Sequence, residues 1–270
     1  MQHIRIIPDS WNLAGFLEIP KYKELLFMFI WRDIRVRYKQ TVLGMLWVVF
    51  QPLVMMIILS LFFGVLIKVP SAGLPYPVFF LSAYIVGVLF YDGIMRSYAG
   101  IVQNTSIITK VYFPRLIIPL AGVIAPTIDF SISVVLLSVM IFIYGVSVSS
   151  TLVLIPVLVI WAMGLAFGVG TFLSALNVKY RDVQYAVPFI LMVWMYTCPI
   201  VYPASLIPQQ YLWIYYLNPI SWIMDGMRYA LFNIPLSTES TIPAIIITIA
   251  IIAVGVVFFE YHENKFVDYI

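Results

Sequence analysis

The sequence predicts an all-α integral membrane protein of six membrane-spanning helices with both termini on the cytoplasmic side. Three observations lead there. Hydrophobic residues make up 63% of the chain and charged residues only 10%, far from the composition of soluble domains. The apolar residues fall in continuous runs rather than in alternation, which favours helices over a barrel. Of the 15 Lys and Arg, all but Lys68 and Arg228 lie in segments that this arrangement places inside, the asymmetry expected of positive-inside topology.

The elements follow in chain order. Residues 1–41 read as a cytoplasmic N-terminal segment. Pro8, Asp9, Pro20 and Glu24 interrupt its start, so a cleavable signal with a continuous apolar core is not expected. Residues 20–39 read as a helix at the cytoplasmic surface: Leu25 to Trp31 is too short to span, whereas Lys21, Lys23, Arg32, Arg35, Arg37 and Lys39 suit anionic headgroups. The transmembrane domain occupies residues 42–260, and residues 261–270 form a cytoplasmic tail. Span one covers Val42–Ile67 and ends in the breaker-rich outer turn Lys68–Pro75. Span two covers Pro77–Met95, followed by a polar inner loop over 97–115. Spans three and four, Leu116–Tyr144 and Leu152–Leu176, flank a short outer turn, and Asn177–Asp182 makes the second inner loop. Span five runs Val183–Val201 and span six Ile242–Phe259. Between them Pro199, Pro203, Pro208 and Pro219 break an aromatic stretch too short for two further spans. Irregular backbone at membrane depth survives only when buried in protein or lining a wet cavity, so short re-entrant helices forming an outer gate are expected, with a loop on the headgroups as the alternative.

Several chemistries are missing. None of the 14 glycines is followed by lysine, so there is no phosphate-cradling Gly-Lys-Ser/Thr loop. His3 and His262 lie at opposite ends, leaving no helical metal pair, and the single cysteine, Cys198, excludes an internal disulfide. No catalytic residues are expected, no metal, and no cofactor bound by this chain.

What is present is aromatic. Tyr84, Tyr91 and Tyr98 recur every seven residues with Phe80 one turn before, sharing one helix face. With Trp194 and Tyr196 they are candidates to line a glycan path, because aromatic faces stack on sugar rings and tyrosine hydroxyls bond sugar hydroxyls; interfacial anchoring and packing is the competing explanation. Tyr202, Trp213, Tyr215, Tyr216 and Trp222 are the outer-gate candidates, with Asp225 and Arg228 spaced to pair. Asp92 and Arg96, four apart, are expected to pair likewise. Asp129 falls inside span three, where a carboxylate is costly and is a functional candidate, although Thr127, Ser131 and Ser133 stand ready to solvate it.

Four segments in series carry a resemblance. Arg32-Asp-Ile-Arg-Val-Arg-Tyr-Lys-Gln-Thr-Val-Leu-Gly-Met-Leu-Trp47 with Gln51-Pro52, Lys110-Val-Tyr-Phe-Pro-Arg115, Leu176-Asn-Val-Lys-Tyr-Arg-Asp182 and Leu217-Asn-Pro-Ile220 together resemble the permeases of polysaccharide-export ABC transporters of O-antigen type, with teichoic-acid and capsule permeases as close relatives. The resemblance covers essentially the whole chain. It implies a type-2 ABC exporter permease fold and a homodimer of this chain bound to two copies of a separate ATPase subunit. ATP and Mg would be held by that ATPase, the substrate would be an undecaprenyl-type lipid-linked polysaccharide, and membrane lipids but no nucleic acid would be partners. It further implies that Lys110, Tyr112, Phe113, Pro114 and Arg115 couple to the ATPase. Arg5, Lys21, Lys23, Arg32, Arg35 and Arg37 become candidates to recruit the lipid pyrophosphate. An exporter of a small hydrophobic compound and a membrane glycosyl- or acyltransferase are the alternatives.

Overall fold

The computed structural model describes residues 18–39, 44–263 and 266. Arg5, the start of the first span at Val42 and most of the C-terminal tail lie outside the described residues. Among the described residues every regular element is helical.

Helix α1 (Lys23–Tyr38) is followed by α2 (Leu46–Leu59), which continues as a π-helical turn, Ser60–Leu66. The looser winding falls at Gly64, where Tyr76 approaches so closely that an added Cβ would meet its side chain at 2.9 Å. The expected outer turn follows, with Lys68 and Ala72 held at φ 58° and 52°. Helix α3 (Tyr76–Gln103) is 28 residues long, so the helix continues where the sequence suggested a polar loop, and the inner loop shrinks to 104–116, with one short turn, α4 (Thr105–Ile108). Ser97, Gly100 and Ile101 explain the extension: all are buried, packed where a loop was expected.

The third span is interrupted. Helices α5 (Ile117–Ile124) and α6 (Thr127–Ile143) meet at Ala125-Pro126, where proline lacks the amide that would continue the ladder. The Thr127 hydroxyl donates to the freed Ile124 carbonyl at 2.7 Å. The break gives α6 its own N-terminus and puts Asp129 in its first turn, at the positive end of the helix dipole.

Helix α7 (Ile155–Lys179) lies against α3 and against α11 (Thr241–Glu263). The α7–α11 contact is backbone to backbone, since a Cβ on Gly255 would stand 2.1 Å from the Gly168 carbonyl oxygen. Helix α8 (Val183–Thr197) has 15 residues, about 22 Å at 1.5 Å per residue and short of a bilayer core of roughly 30 Å. Among the described residues five helical stretches are long and apolar enough to cross a membrane, Leu46–Leu66, Tyr76–Gln103, Ile117–Ile143, Ser150–Lys179 and Thr241–Glu263, and α8 is a shorter apolar helix.

Between α8 and α11 the chain makes two 3-10 turns, the short α9 (Leu212–Tyr216) and then α10 (Pro219–Phe232). Helix α10 is buried almost throughout against α3 and α7, and ends at Asn233 in the left-handed region (φ 58°). Helix α10 is thus buried in protein, whereas the broken stretch before it stays largely at the surface, with Leu206, Tyr211, Trp213, Ile214 and Leu217 exposed.

The end of the bundle carrying Asn104, Arg115 and Lys179 is called the basic end below. Glu263 joins it, its carboxylate accepting the Arg115 amide at 3.3 Å.

Candidate functional site

Two clusters of charge are built inside the bundle. The first joins three helices. Arg37, near the end of α1, is 3.1 Å from Asp92 on α3 and is also ion-paired with Asp129 on α6. The Tyr38 hydroxyl donates to Asp129, and Arg96 on α3 stands 3.8 Å from the same carboxylate. The expected Asp92–Arg96 pair is therefore replaced: each finds its partner on another helix. The Thr127, Ser131 and Ser133 hydroxyls bond main-chain carbonyls rather than the Asp129 carboxylate. Ser133 donates to the Asp129 carbonyl at 2.9 Å, Ser131 to that of Thr127 and Thr127 to that of Ile124. Burial alone would pull the Arg37 pKa down, but Asp92 and Asp129 outweigh it and hold the guanidinium above its usual range. Burial and the Asp129 carboxylate push the Tyr38 phenol up, so it remains a donor. Beside the cluster lies a cavity of about 30 Å³ whose walls include Arg37, Gln51, Tyr84, Asp92, Asp129 and Ser133.

The second cluster gathers residues that the sequence offered as outer-gate candidates. Arg228 and Asp225 pair at 3.2 Å, as their spacing suggests. Tyr215 and Tyr216 donate to the Asp225 carboxylate at 3.0 and 3.5 Å. Arg228, 1% exposed, also donates to the carbonyls of Ile200 and Phe79 at 3.2 and 3.5 Å and lies over the Phe79 ring at 3.7 Å. Trp222 is buried against Trp161, ring centroids 4.8 Å apart, and donates to the Ser237 carbonyl. Tyr202 donates to the Thr197 carbonyl, while Trp213 is exposed.

The aromatic candidates divide. Phe80 is fully buried and stacked on Tyr84 at 4.9 Å, so it belongs to the core of this chain and lines no free surface. Tyr98 is buried too, Tyr84 reaches only the small cavity, and Tyr91 is half-buried. The seven-residue spacing marks the inner face of the most buried helix, where packing dominates. Trp194 packs edge-on against Phe90 at 5.3 Å. Tyr196, by contrast, is 76% exposed and shares one face of α8 with Tyr185 (75%) and Phe189 (64%). The sequence reading missed those two; their i, i+4 and i+11 spacing with Tyr196 was the available signal.

At the basic end Lys110, Val111 and Tyr112 are exposed around an open depression of about 220 Å³. Phe113 and Pro114 turn inward, Phe113 packing on Phe29 with ring centroids 5.8 Å apart, so neither is presented for docking. Arg115 is tied to the end of α11 through Glu263 and lies 5.9 Å from the Phe266 ring. Of the pyrophosphate candidates, Lys21, Lys23 and Arg35 point outward, whereas Arg32 bonds Asp33 and Asn104, and Arg37 is committed to Asp92 and Asp129.

Apolar helices of spanning length, with their charges paired between them, make this a multi-pass membrane protein. The chain belongs to the ABC-2 type transporter family, whose model matches residues 24–232. It is 29% identical over 246 residues to an O-antigen export system permease protein RfbA of Klebsiella pneumoniae, covering 91% of this chain and 94% of the relative. A protein of the same description from Myxococcus xanthus is 28% identical over 195 residues (72% and 74% covered), and the polysialic acid transport protein KpsM of Escherichia coli is 27% identical over 221 residues (80% and 83%). Membership in this family implies an ABC ATPase as partner.

Proposed function

We propose that this chain is the channel-forming membrane subunit of an ATP-driven exporter that moves a lipid-linked polysaccharide, of O-antigen type, outward across the inner membrane. The observation that carries the reading is the match to polysaccharide-export permeases along most of the chain. Two copies of the chain pair and two copies of a separate ATPase, which holds ATP and Mg, dock on the basic end. Lys110, Val111 and Tyr112 are the exposed contact for that partner. Lys21, Lys23 and Arg35 attract the lipid pyrophosphate by charge. The exposed face of α8, with Tyr185, Phe189 and Tyr196, offers ring faces and hydroxyls to a passing glycan. A stripe of this kind favours a chain sliding past many weak contacts over a compact ligand held in one pocket.

A capsule-type glycan is the second reading, favoured by the similarity to the polysialic acid transport protein. Removing the gene in its host tests both. Lipid-linked glycan should accumulate on the cytoplasmic leaflet, and its chemical analysis decides between the two. Unchanged surface glycan would overturn the proposal.

A further inference from the structure

Helix α1 grips the rest of the chain from its middle to its far end. At its middle Phe29 is buried against Phe113, the residue that follows the exposed Lys110–Tyr112. One turn later Arg32 bonds the Asn104 side chain at the end of α3. At its far end Arg37 reaches Asp92 and Asp129. From Asn104 to Asp92 is about three turns of α3, on the order of 18 Å, so α1 leans along the bundle from the basic end toward its middle and does not rest only on headgroups.

The contact at that far end is electrostatic and spans two helices. It is also built to open. The Arg37 side chain keeps 33% of its exposure and borders the cavity that Gln51 and Tyr84 help to line, so the pair is not sealed as a fully buried one would be. If Arg37 withdraws, Arg96 remains near Asp129 at 3.8 Å and Tyr38 still reaches it, so that acid keeps polar partners, while Asp92 gives up its ion pair beside the cavity.

We propose that Arg37 is a positioning residue for transport. It clamps α1 to α3 and α6, so that displacement of the exposed 110–112 loop is carried through Phe113, Phe29 and α1 to the middle of the spans. This rests on the reading of that loop as the ATPase contact. It also reassigns Arg37 from lipid recruitment to the transmission of movement.

The test uses the full complex of this chain with its ATPase, reconstituted in vesicles. Spin labels go on Val36→Cys and Val135→Cys, both exposed positions on α1 and α6, in a Cys198→Ser background. Arg37→Gln alone leaves Asp92 without its cation and risks misfolding, so it is paired with the charge-balanced double variant Arg37→Gln, Asp92→Asn, in which Arg96 and Tyr38 stay beside Asp129, and with Arg37→Lys. The expected result is a sharp label spacing in the parent and in Arg37→Lys. The double variant should show a broadened, longer spacing and ATP hydrolysis within about twofold of the parent, with glycan movement reduced by about 5- to 150-fold, the usual span of a coupling free energy. Unchanged spacing and unchanged export in the double variant would overturn the proposal. If the parent moves no glycan, the spacing alone decides: release in the double variant supports the clamp while the substrate reading falls, and no release removes both.

Discussion

The two charge clusters hold similar groups and are constructed in opposite ways. Asp225 and Arg228 lie three residues apart on one helix, sealed by Tyr215, Tyr216 and the carbonyls of Phe79 and Ile200. Arg37, Asp92, Arg96 and Asp129 come from three helices and border a small cavity; Asp129 is as buried as Asp225, but Arg37, Asp92 and Arg96 keep partial exposure. A local, sealed pair fixes one geometry: it holds α10 against α3 and the turn at Ile200. A distributed, half-open set joins parts able to move relative to one another. On the proposed reading the sealed pair suits a region that stays rigid, and the distributed set one that moves with the ATPase.

The largest expected effect comes from breaking the sealed cluster. Asp225→Ala leaves Arg228 buried without its counter-ion, a loss of about 3–5 kcal/mol, seen as failed membrane accumulation or a steep fall in detergent melting temperature. The matched pair Asp225→Asn with Arg228→Met should recover much of that loss, because no charge is stranded. Next come single hydroxyls, one from each cluster. Tyr215→Phe removes a buried bond to a carboxylate, worth about 1.5–3 kcal/mol. Tyr38→Phe removes the corresponding bond at the open cluster, where Arg37 and Arg96 still hold Asp129, and should cost less than about 1 kcal/mol. Equal losses in the two melting curves would erase the distinction between the clusters. The smallest effect belongs to Arg35→Ala: Arg35 is exposed over the Trp31 ring at 5.0 Å, and stability should stay within about 0.5 kcal/mol, whereas lipid-linked glycan recruitment should weaken in a salt-dependent way.

The same contrast explains what the sequence disclosed. Asp225 and Arg228 were legible as a pair because helical spacing alone brings them together. Asp92 and Arg96 have similar spacing, yet they part because Arg37, 55 residues away from Asp92, offers a contact across helices; local periodicity carries no information about such partners. The apolar runs revealed the membrane helices, since hydropathy integrates over many residues. The extension of α3 to Gln103 depended on tertiary packing around Gly100 and Ile101 and was not legible, whereas the break at Pro126 had a local signal in the proline itself that the hydropathy of the span masked. The tyrosine series on α3 misled for a physical reason: a seven-residue repeat identifies one face of a helix but not whether protein, lipid or solvent covers it. Phe80 and Tyr98 are covered by protein, and the exposed face lies instead on α8.

The most direct test of the polysaccharide-export account is glycan movement in inverted vesicles containing the purified chain with and without its ATPase. The account predicts that lipid-linked glycan reaches the lumen only when both proteins and hydrolysable ATP are present, and that replacing Tyr185, Phe189 and Tyr196 together by Ala slows it while ATP hydrolysis continues. Chemical alteration of the glycan by this chain alone, with nothing delivered to the lumen, would contradict it.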